Sequence, residues 1–530
     1  MGRKSNRIFR LLNHFSQYKK YSNFSLNPLI KTIFLGLIIF NLLLTSWYIL
    51  HGDLNFHTDI GRDFLLFEEV QQKKLVLIGA RSGAAGIFHG PLWLYLNFPV
   101  YYLSNGNPLA VGWFWIFLIV FFYISGFQIA KRLFNSKTAF LFITLASSYL
   151  IPWGKEFTHH NAAFVIMPFF FYTFWQYINT FKITYLMAHI ILAGILIQLE
   201  IATGGPFILL SFAYIVYKQI KKHRLKQSIA FLLIFLPLST YIMFDIRHNF
   251  FQIKNLIAYI KGSPSEHYYG IVNIFKNRLD YIFTSGTPLI REFTLLNTLF
   301  AISLFIILFK ILNKSRYRYL YLIFLYFYLG YFLISLSSRY YLLVQHFLPF
   351  IPIVLMVSSS LISSKYQKIT VPIFILIILF NLFSGIKYLR EANNDIGRSM
   401  NSWKIFNKIS EDVYNNQDQE FGYFIYSPDK LGYSLKYAMI YGQKIHPNRK
   451  ASYFQKMPIT YVISAPPPIN DPYAKYMKSQ YWVANSIKIS GESNKTVTYP
   501  NDYKVERYEL TPEEIAIPFD KYEDTGIHFR

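Results

Sequence analysis

The chain has 530 residues, of which 53% are hydrophobic and 19% aromatic but only 15% charged, and this is too apolar for a water-soluble protein of such length. Lys and Arg number 53 against 28 Asp and Glu, a formal charge of +25, but the basic residues fall in short clusters between apolar runs, the pattern of cytoplasmic loops and not of a nucleic-acid surface. Cysteine is absent, which excludes disulfides, cysteine-ligated zinc and a thiol nucleophile.

Residues 1–28 form a basic tail holding Arg3, Lys4, Arg7, Arg10, Lys19 and Lys20. No small-residue cleavage site follows a short apolar core, so the first apolar run is expected to be an uncleaved anchor. A membrane span needs about 20 apolar residues. Candidate runs are 29–50, 109–130, 138–153, 162–180, 183–200, 205–217, 227–245, 293–312, 319–337, 340–362 and 369–387, eleven in all. The stretch 91–104 is too short and too broken by proline to span, and its Trp and Tyr fit a helix lying in the interface.

Placing the tail in the cytoplasm puts Lys131, Arg132 and Lys137, the cluster Lys218–Lys226, the cluster Lys310–Arg318, and Lys365 and Lys368 on the same side. The alternate short loops are nearly free of Lys and Arg. This agreement predicts a multi-pass plasma-membrane protein with a cytoplasmic N-terminus. The first loop 51–108, the loop 154–161, the long loop 246–292 and the segment 388–530 then face outward. Residues 29–387 form the transmembrane domain. Beyond Arg390 the apolar runs end, and short patterned runs at Phe421–Tyr426, Ile459–Ile463 and Thr496–Tyr499 read as strands. Helices are expected near 399–416 and 432–441. The segment 388–530 is thus expected to be a small extracytoplasmic α+β domain.

Polar residues capable of chemistry collect at the outward ends of the spans. Asp59, Arg62 and Asp63 share a face of a helix starting near Thr58. An arginine there orients a carboxylate that can act as a general base. The same residues also fit an N-cap with a local ion pair. Gly79–Gly86, with Arg81 inside it, reads either as an anion-binding loop or as a flexible linker. The loop Trp153–Asn161 brings Glu156, His159, His160 and Asn161. The histidine pair with Glu156 and Asp59 offers ligands to a divalent metal, while Asn161 also fits a plain helix cap. Gln198 and Glu200, then Asp245, Arg247 and His248, then Arg339, Gln345 and His346 mark further outer helix ends. Arg81, Arg247 and Arg339 are candidates for pairing with a lipid phosphate, or are snorkelling anchors.

These residues resemble the GT-C class of polytopic glycosyltransferases, in particular the protein O-mannosyltransferase and aminoarabinose transferase group. The likeness rests on Asp59-Ile60-Gly61-Arg62-Asp63, Leu77-Ile78-Gly79, His89-Gly90-Pro91 and Asn107-Pro108, then on His160-Asn161 with Pro168, Gln198, Leu236-Pro237, Asp245–His248, and His346 with Pro349. It implies about 11 transmembrane helices, a polyprenyl-phosphate-sugar donor and an inverting transfer to a glycan, lipid or protein. Asp59 takes the position of the class's acidic residue. Glu156, His159 and Asn161 belong to its second outer loop, and Arg81, Arg247, Arg339 and His346 become candidates for the donor phosphate. Ile60 stands where relatives carry a second acid, and Asn161 where many carry an aspartate, which leaves metal use open. A water-soluble nucleotide sugar cannot cross the bilayer, so transfer outside needs a donor with a lipid tail. The competing reading is a transporter or flippase for lipid-linked glycans. It calls for ionisable residues at mid-membrane and paired broken helices, where this chain gathers its charges at the outer ends.

Overall fold

The computed structural model describes residues 27–520 apart from 74, 262–269, 285, 291, 313–314, 338–342, 416–418 and 468–478. Helix α1 (Pro28–Thr45) opens on an Asn-Pro pair. The Asn27 side chain accepts a hydrogen bond from the Leu29 N–H at 2.9 Å, and Pro28 supplies a helical φ where its missing N–H costs nothing. A short turn, α2 (Trp47–Leu50), leads to the first loop, which holds α3 (Thr58–Lys73) and α4 (Leu92–Leu103). Asn107-Pro108 repeats the same start for α5 (Pro108–Leu133).

Next come α6 (Ser136–Leu150), α7 (His159–Thr180), α8 (Ile183–Leu199) and α9 (Ile201–Lys221). After a 3-10 stretch, Leu225–Phe235, α10 (Ser239–Arg247) is bent from it by 61°. Then follow α11 (Phe251–Lys261), α12 (Ile271–Phe283), α13 (Thr294–Ile311) and α14 (Arg318–Ser335). After two 3-10 turns, α15 (Ile351–Ser360) and α16 (Gln367–Asp395) complete the bundle.

Among the described residues, seven helical stretches are long and apolar enough to cross a membrane, and the bent pair makes an eighth. The remaining three expected runs are α6, α7 and α8, which are shorter or more polar and pack inside the same bundle. All eleven expected runs are therefore helical over most of their described residues. Their amphipathicity is inverted, as lipid requires. Helix α1 turns Leu29, Ile33, Ile39 and Leu43 outward but buries Asn41, whose amide donates to Ser147 Oγ at 2.9 Å and Ser148 Oγ at 3.0 Å on α6. The expected loop 246–292 instead contains the amphipathic helices α11 and α12.

The C-terminal domain begins with α17 (Trp403–Asn415), followed by β1 (Phe421–Tyr426), α18 (Tyr433–Ile445), β2 (Ala451–Tyr453) and β3 (Ile459–Ser464). After the short α19 (Ser479–Trp482) come β4 (Lys495–Thr498), β5 (Lys504–Glu509) and α20 (Pro512–Ala516). The sheet order is β2-β1-β3-β5-β4. Strands β1, β2 and β3 run parallel, which the crossover helix α18 makes possible, and β5 and β4 add antiparallel. The charged strand β5 escapes the sequence reading. Lys504, Glu506, Arg507 and Glu509 mask its pairing, although Val505 and Tyr508 are buried.

Two devices seat this domain on the first loop. Buried Asp53 accepts from the Leu54, Gly397 and Lys404 N–H groups and from Ser402 Oγ, all at 2.8–3.0 Å. Helix α18 lies on α3, where Gly61 makes the contact: a Cβ there would sit 2.7 Å from Ser434 N and 2.9 Å from Ser434 Cα. Phe56, Phe64, Trp403 and Tyr437 fill the seam, with ring centroids 4.8 to 6.2 Å apart in the contacting pairs.

Candidate active site

Helix α3 carries the first cluster. Neither Thr58 nor Asp59 caps it among the described hydrogen bonds. Thr58 Oγ1 donates to Asp429 of the C-terminal domain at 3.1 Å, and the Asp59 N–H is met by His57 Nδ1 at 3.2 Å. The Asp59 carboxylate is thereby left for Arg62, which reaches it at 2.8 Å one turn on. Arg62 also holds Asp63 Oδ1, through Nη2 at 3.1 Å and Nε at 3.3 Å. The second Asp63 oxygen accepts from Trp93 Nε1 at 2.9 Å.

The three residues expected to act together thus have separate settings. Asp63 is 2% exposed and both its oxygens are engaged. Burial raises its pKa against the pull of Arg62. Burial also works against the Arg62 cation, but Asp63 and Asp59 outweigh it and keep the guanidinium above its ordinary range. Asp59 is the member that faces solvent, with 59% of its side chain exposed. Of the two aspartates, Asp59 alone presents its carboxylate to solvent, whereas Asp63 is held between Arg62 and Trp93 and Arg62 bridges the two.

The second-loop residues do not assemble as expected. Glu156 pairs with the Asn55 amide and lies 3.9 Å from His57 Nε2, away from the histidine pair. Asn161 serves as a cap, its Oδ1 accepting from the Thr158 N–H at 2.7 Å and Thr158 Oγ1 at 2.9 Å. The carboxylate that joins the histidines is Glu200, from the α8–α9 corner, which hydrogen-bonds His160 Nδ1. His159 stacks between His160, at 3.8 Å between centroids, and His89, at 4.0 Å. Burial alone would raise Glu200, but His160, with His89 and His346, brings its pKa down to about 2. Burial pushes His89 down to about 4. Arg62 acts electrostatically on both His89 and His159, so this cluster adjoins the first.

Gly79–Gly86 is not a free linker. It forms a small antiparallel hairpin in which Arg81 pairs with Phe88, closed by Gly79 N–H to His89 O at 2.8 Å and His89 N–H to Ala80 O at 2.9 Å. Gln198 stitches the hairpin's end to the bundle, accepting from the Gly90 N–H through its backbone and from the Leu92 N–H through its side chain. Its amide donates to Pro237 O and Thr240 Oγ1.

The hairpin forms one wall of an open cavity of about 880 Å³. Leu75, Leu77, Ile78, Phe88, Phe244 and Phe251 supply apolar lining, Arg81, Arg247 and His248 supply positive or ionisable groups, and Lys73 is paired with Glu69 at 2.8 Å. Arg81 and Arg247 are exposed and form no ion pair among the described residues. Arg81 and Arg62 both act electrostatically on Tyr433, which connects the cavity to the Asp59 end of α3. The structure thus brings Arg81 and Arg247 together. His346 lies elsewhere, on the Glu200 side, its carbonyl accepting from Thr203 Oγ1 at 2.5 Å and Tyr331 OH at 3.2 Å. Arg339 lies outside the described residues.

Sequence reasoning places Glu200 and His89 near the right face but assigns neither a part in the site. Their partners are forty and seventy residues distant in the chain, and no local spacing announces such a contact. Arg278 is also missed; it is fully buried on α12 and donates to Ser335 O at 3.2 and 3.4 Å.

No protein-family model and no curated protein sequence matches the chain. Solved structures do. ArnT from Cupriavidus metallidurans bound to undecaprenyl phosphate superposes with a TM-score of 0.56 at 12% identity, over 92% of this chain and 99% of that one. The same protein in the apo state gives 0.53 at 12% identity, over 84% and 92%. The likeness extends over nearly the whole chain, which accordingly shares the fold of these structures.

Proposed function

We propose that this chain is a glycosyltransferase of the plasma membrane that moves a sugar from a polyprenyl-phosphate carrier to an extracytoplasmic glycan, lipid or protein. Its N-terminus is cytoplasmic and its C-terminal domain lies outside. The observation that carries this reading is the 880 Å³ cavity, which sets an apolar wall and two arginines, without ion pairs among the described residues, beside the helix bearing Asp59. Such a lining suits a ligand that is an isoprenoid at one end and a phosphate at the other. The fold supports the same reading, since ArnT binds undecaprenyl phosphate.

In the reaction, the acceptor oxygen or nitrogen attacks C1 of the sugar and its proton passes to Asp59. The bond between C1 and the phosphate oxygen breaks, and polyprenyl phosphate departs with the electron pair. Arg81 and Arg247 stabilise the charge that grows on it. Arg62 holds Asp59 in place, and Asp63 with Trp93 holds Arg62. Proton transfer to a positioned base contributes about 10²–10⁴-fold. The phosphate is already a good leaving group, so alignment of donor and acceptor supplies much of the remainder.

The test is to reconstitute the purified protein in vesicles, supply a panel of polyprenyl-phosphate sugars with a membrane extract as the source of acceptor, and measure released polyprenyl phosphate. Release with at least one sugar, dependent on the protein, is expected. Release no greater than from empty vesicles across the panel contradicts the reading.

A further inference from the structure

We propose that His159, His160 and Glu200 bind one divalent transition-metal ion, with His89 as its fourth neighbour. The ligands come from three separate elements: the first turn of α7, the α8–α9 corner and the hairpin end. One ligand atom from each of His159, His160 and Glu200 lies within 4.8 Å of the other two. A tetrahedral ion with bonds near 2.1 Å spaces its ligands by about 3.4 Å. Side-chain rotation of about an ångström therefore closes the set, without backbone movement.

The plainer reading is a buried His–Glu hydrogen bond that needs no ion. It accounts for His160 and Glu200 and for nothing else. His159 Nε2 and His89 Nδ1 are both buried with no hydrogen-bond partner. Both residues are at least nine-tenths buried, and each ring stacks on another histidine of the cluster. Buried ring nitrogens are ordinarily satisfied, and an ion held by His159, His160 and Glu200 gives the His159 ring a partner, with His89 stacked alongside. Neutral imidazoles are suited to that role.

The surroundings also hold the ligands in place. Glu200 caps α9, its Oε1 accepting from the Ala202 N–H at 3.2 Å while Oε2 faces His160. That secondary bond fixes the carboxylate, as outer-shell partners do in metal sites. Two or three imidazoles with one carboxylate select zinc, cobalt or a similar ion over magnesium or calcium, which take oxygen ligands. An ion there ties α7, the α8–α9 corner and the hairpin into one unit and adds positive charge near Arg62. Its part is positioning, since Asp59 remains the group that meets the nucleophile.

Metal binding can be measured apart from sugar transfer, so the two readings fail separately. The full chain, freed of any affinity tag and stripped with chelator, is dialysed against Zn²⁺ and then analysed for bound metal. Co²⁺ is used in parallel for its visible absorption. The wild type is expected to retain about one equivalent with the intense bands of a tetrahedral nitrogen–oxygen site. Glu200→Gln and His159→Asn are expected to weaken retention at least tenfold, and His51→Asn, an exposed histidine outside the cluster, to leave it unchanged. Should Glu200→Gln fail to fold, His159→Asn answers the question alone, because its Nε2 has no hydrogen bond to lose. No retained equivalent in the wild type overturns the proposal, as does wild-type retention by a folded His159→Asn.

Discussion

Replacing Gly61 with alanine sets two opposing effects against each other on one atom. Gly61 is the fourth residue of α3, and alanine inside a helix is favoured over glycine by about 1 kcal/mol. The new Cβ, however, would sit 2.7 Å from Ser434 N, 2.9 Å from Ser434 Cα and 2.9 Å from Tyr433 C. These are backbone atoms at the start of α18, and they cannot rotate away. The segment is pinned on both sides, by Ser434 Oγ to Phe56 O at 2.6 Å and by Thr58 Oγ1 to Asp429 at 3.1 Å. Overpacking of this kind costs about 1–3 kcal/mol, and a rigid obstacle places it near the upper end. Gly61→Ala should therefore destabilise the protein by about 1–2 kcal/mol after the helical gain is subtracted. Gly83→Ala, with nothing within 4 Å of its Cβ, is the matched control. Thermal melting of both variants in the same detergent reads the difference. A Gly61→Ala protein as stable as wild type would mean that the C-terminal domain does not rest on α3, and the seam described above would be wrong.

Five further substitutions follow from the geometry. Asp63→Asn removes a buried charge facing Arg62 and should cost about 3 kcal/mol in thermal or denaturant unfolding, whereas Asp59→Asn, at the exposed end of the same guanidinium, should cost under about 1 kcal/mol; equal effects would refute the division of roles. Asp53→Asn cannot accept all four of the hydrogen bonds that Asp53 receives. It should cost about 3 kcal/mol and open the backbone near Gly397 to limited proteolysis. Arg81→Ala and Arg247→Ala should leave melting unchanged, since neither residue is buried or ion-paired among the described residues, but each should raise the KM for a polyprenyl-phosphate sugar about tenfold through the loss of a charge-assisted bond. An unchanged KM in both would remove the cavity from the donor's path.

Much of the fold could be read from the chain because lipid imposes one requirement on every span, and runs of twenty apolar residues satisfy it visibly. The Asn-Pro starts of α1 and α5 and the helix from Thr58 are likewise local signals. The site was legible only in part. Asp59 and Arg62 lie one helical turn apart, so spacing alone put them together. Glu200 meets His160, and His89 meets His159, through folding of distant segments, and nothing near Glu156 in the chain shows that it turns to Asn55 instead. Asp63 looked like a second acid until Trp93, thirty residues on, proved to occupy its other oxygen. The hairpin at Gly79–Gly86 was hidden by its glycines, which read equally as linker and as turn.

The most direct measurement is sugar transfer by Asp59→Asn against wild type, in vesicles, on whichever polyprenyl-phosphate sugar the wild type uses. The substitution keeps the side chain's size and sits at an exposed position. Transfer should fall by about 10²–10⁴-fold with melting temperature and carrier binding preserved. Transfer at the wild-type rate by a folded Asp59→Asn protein would contradict the assignment of the base and, with it, the account of this site.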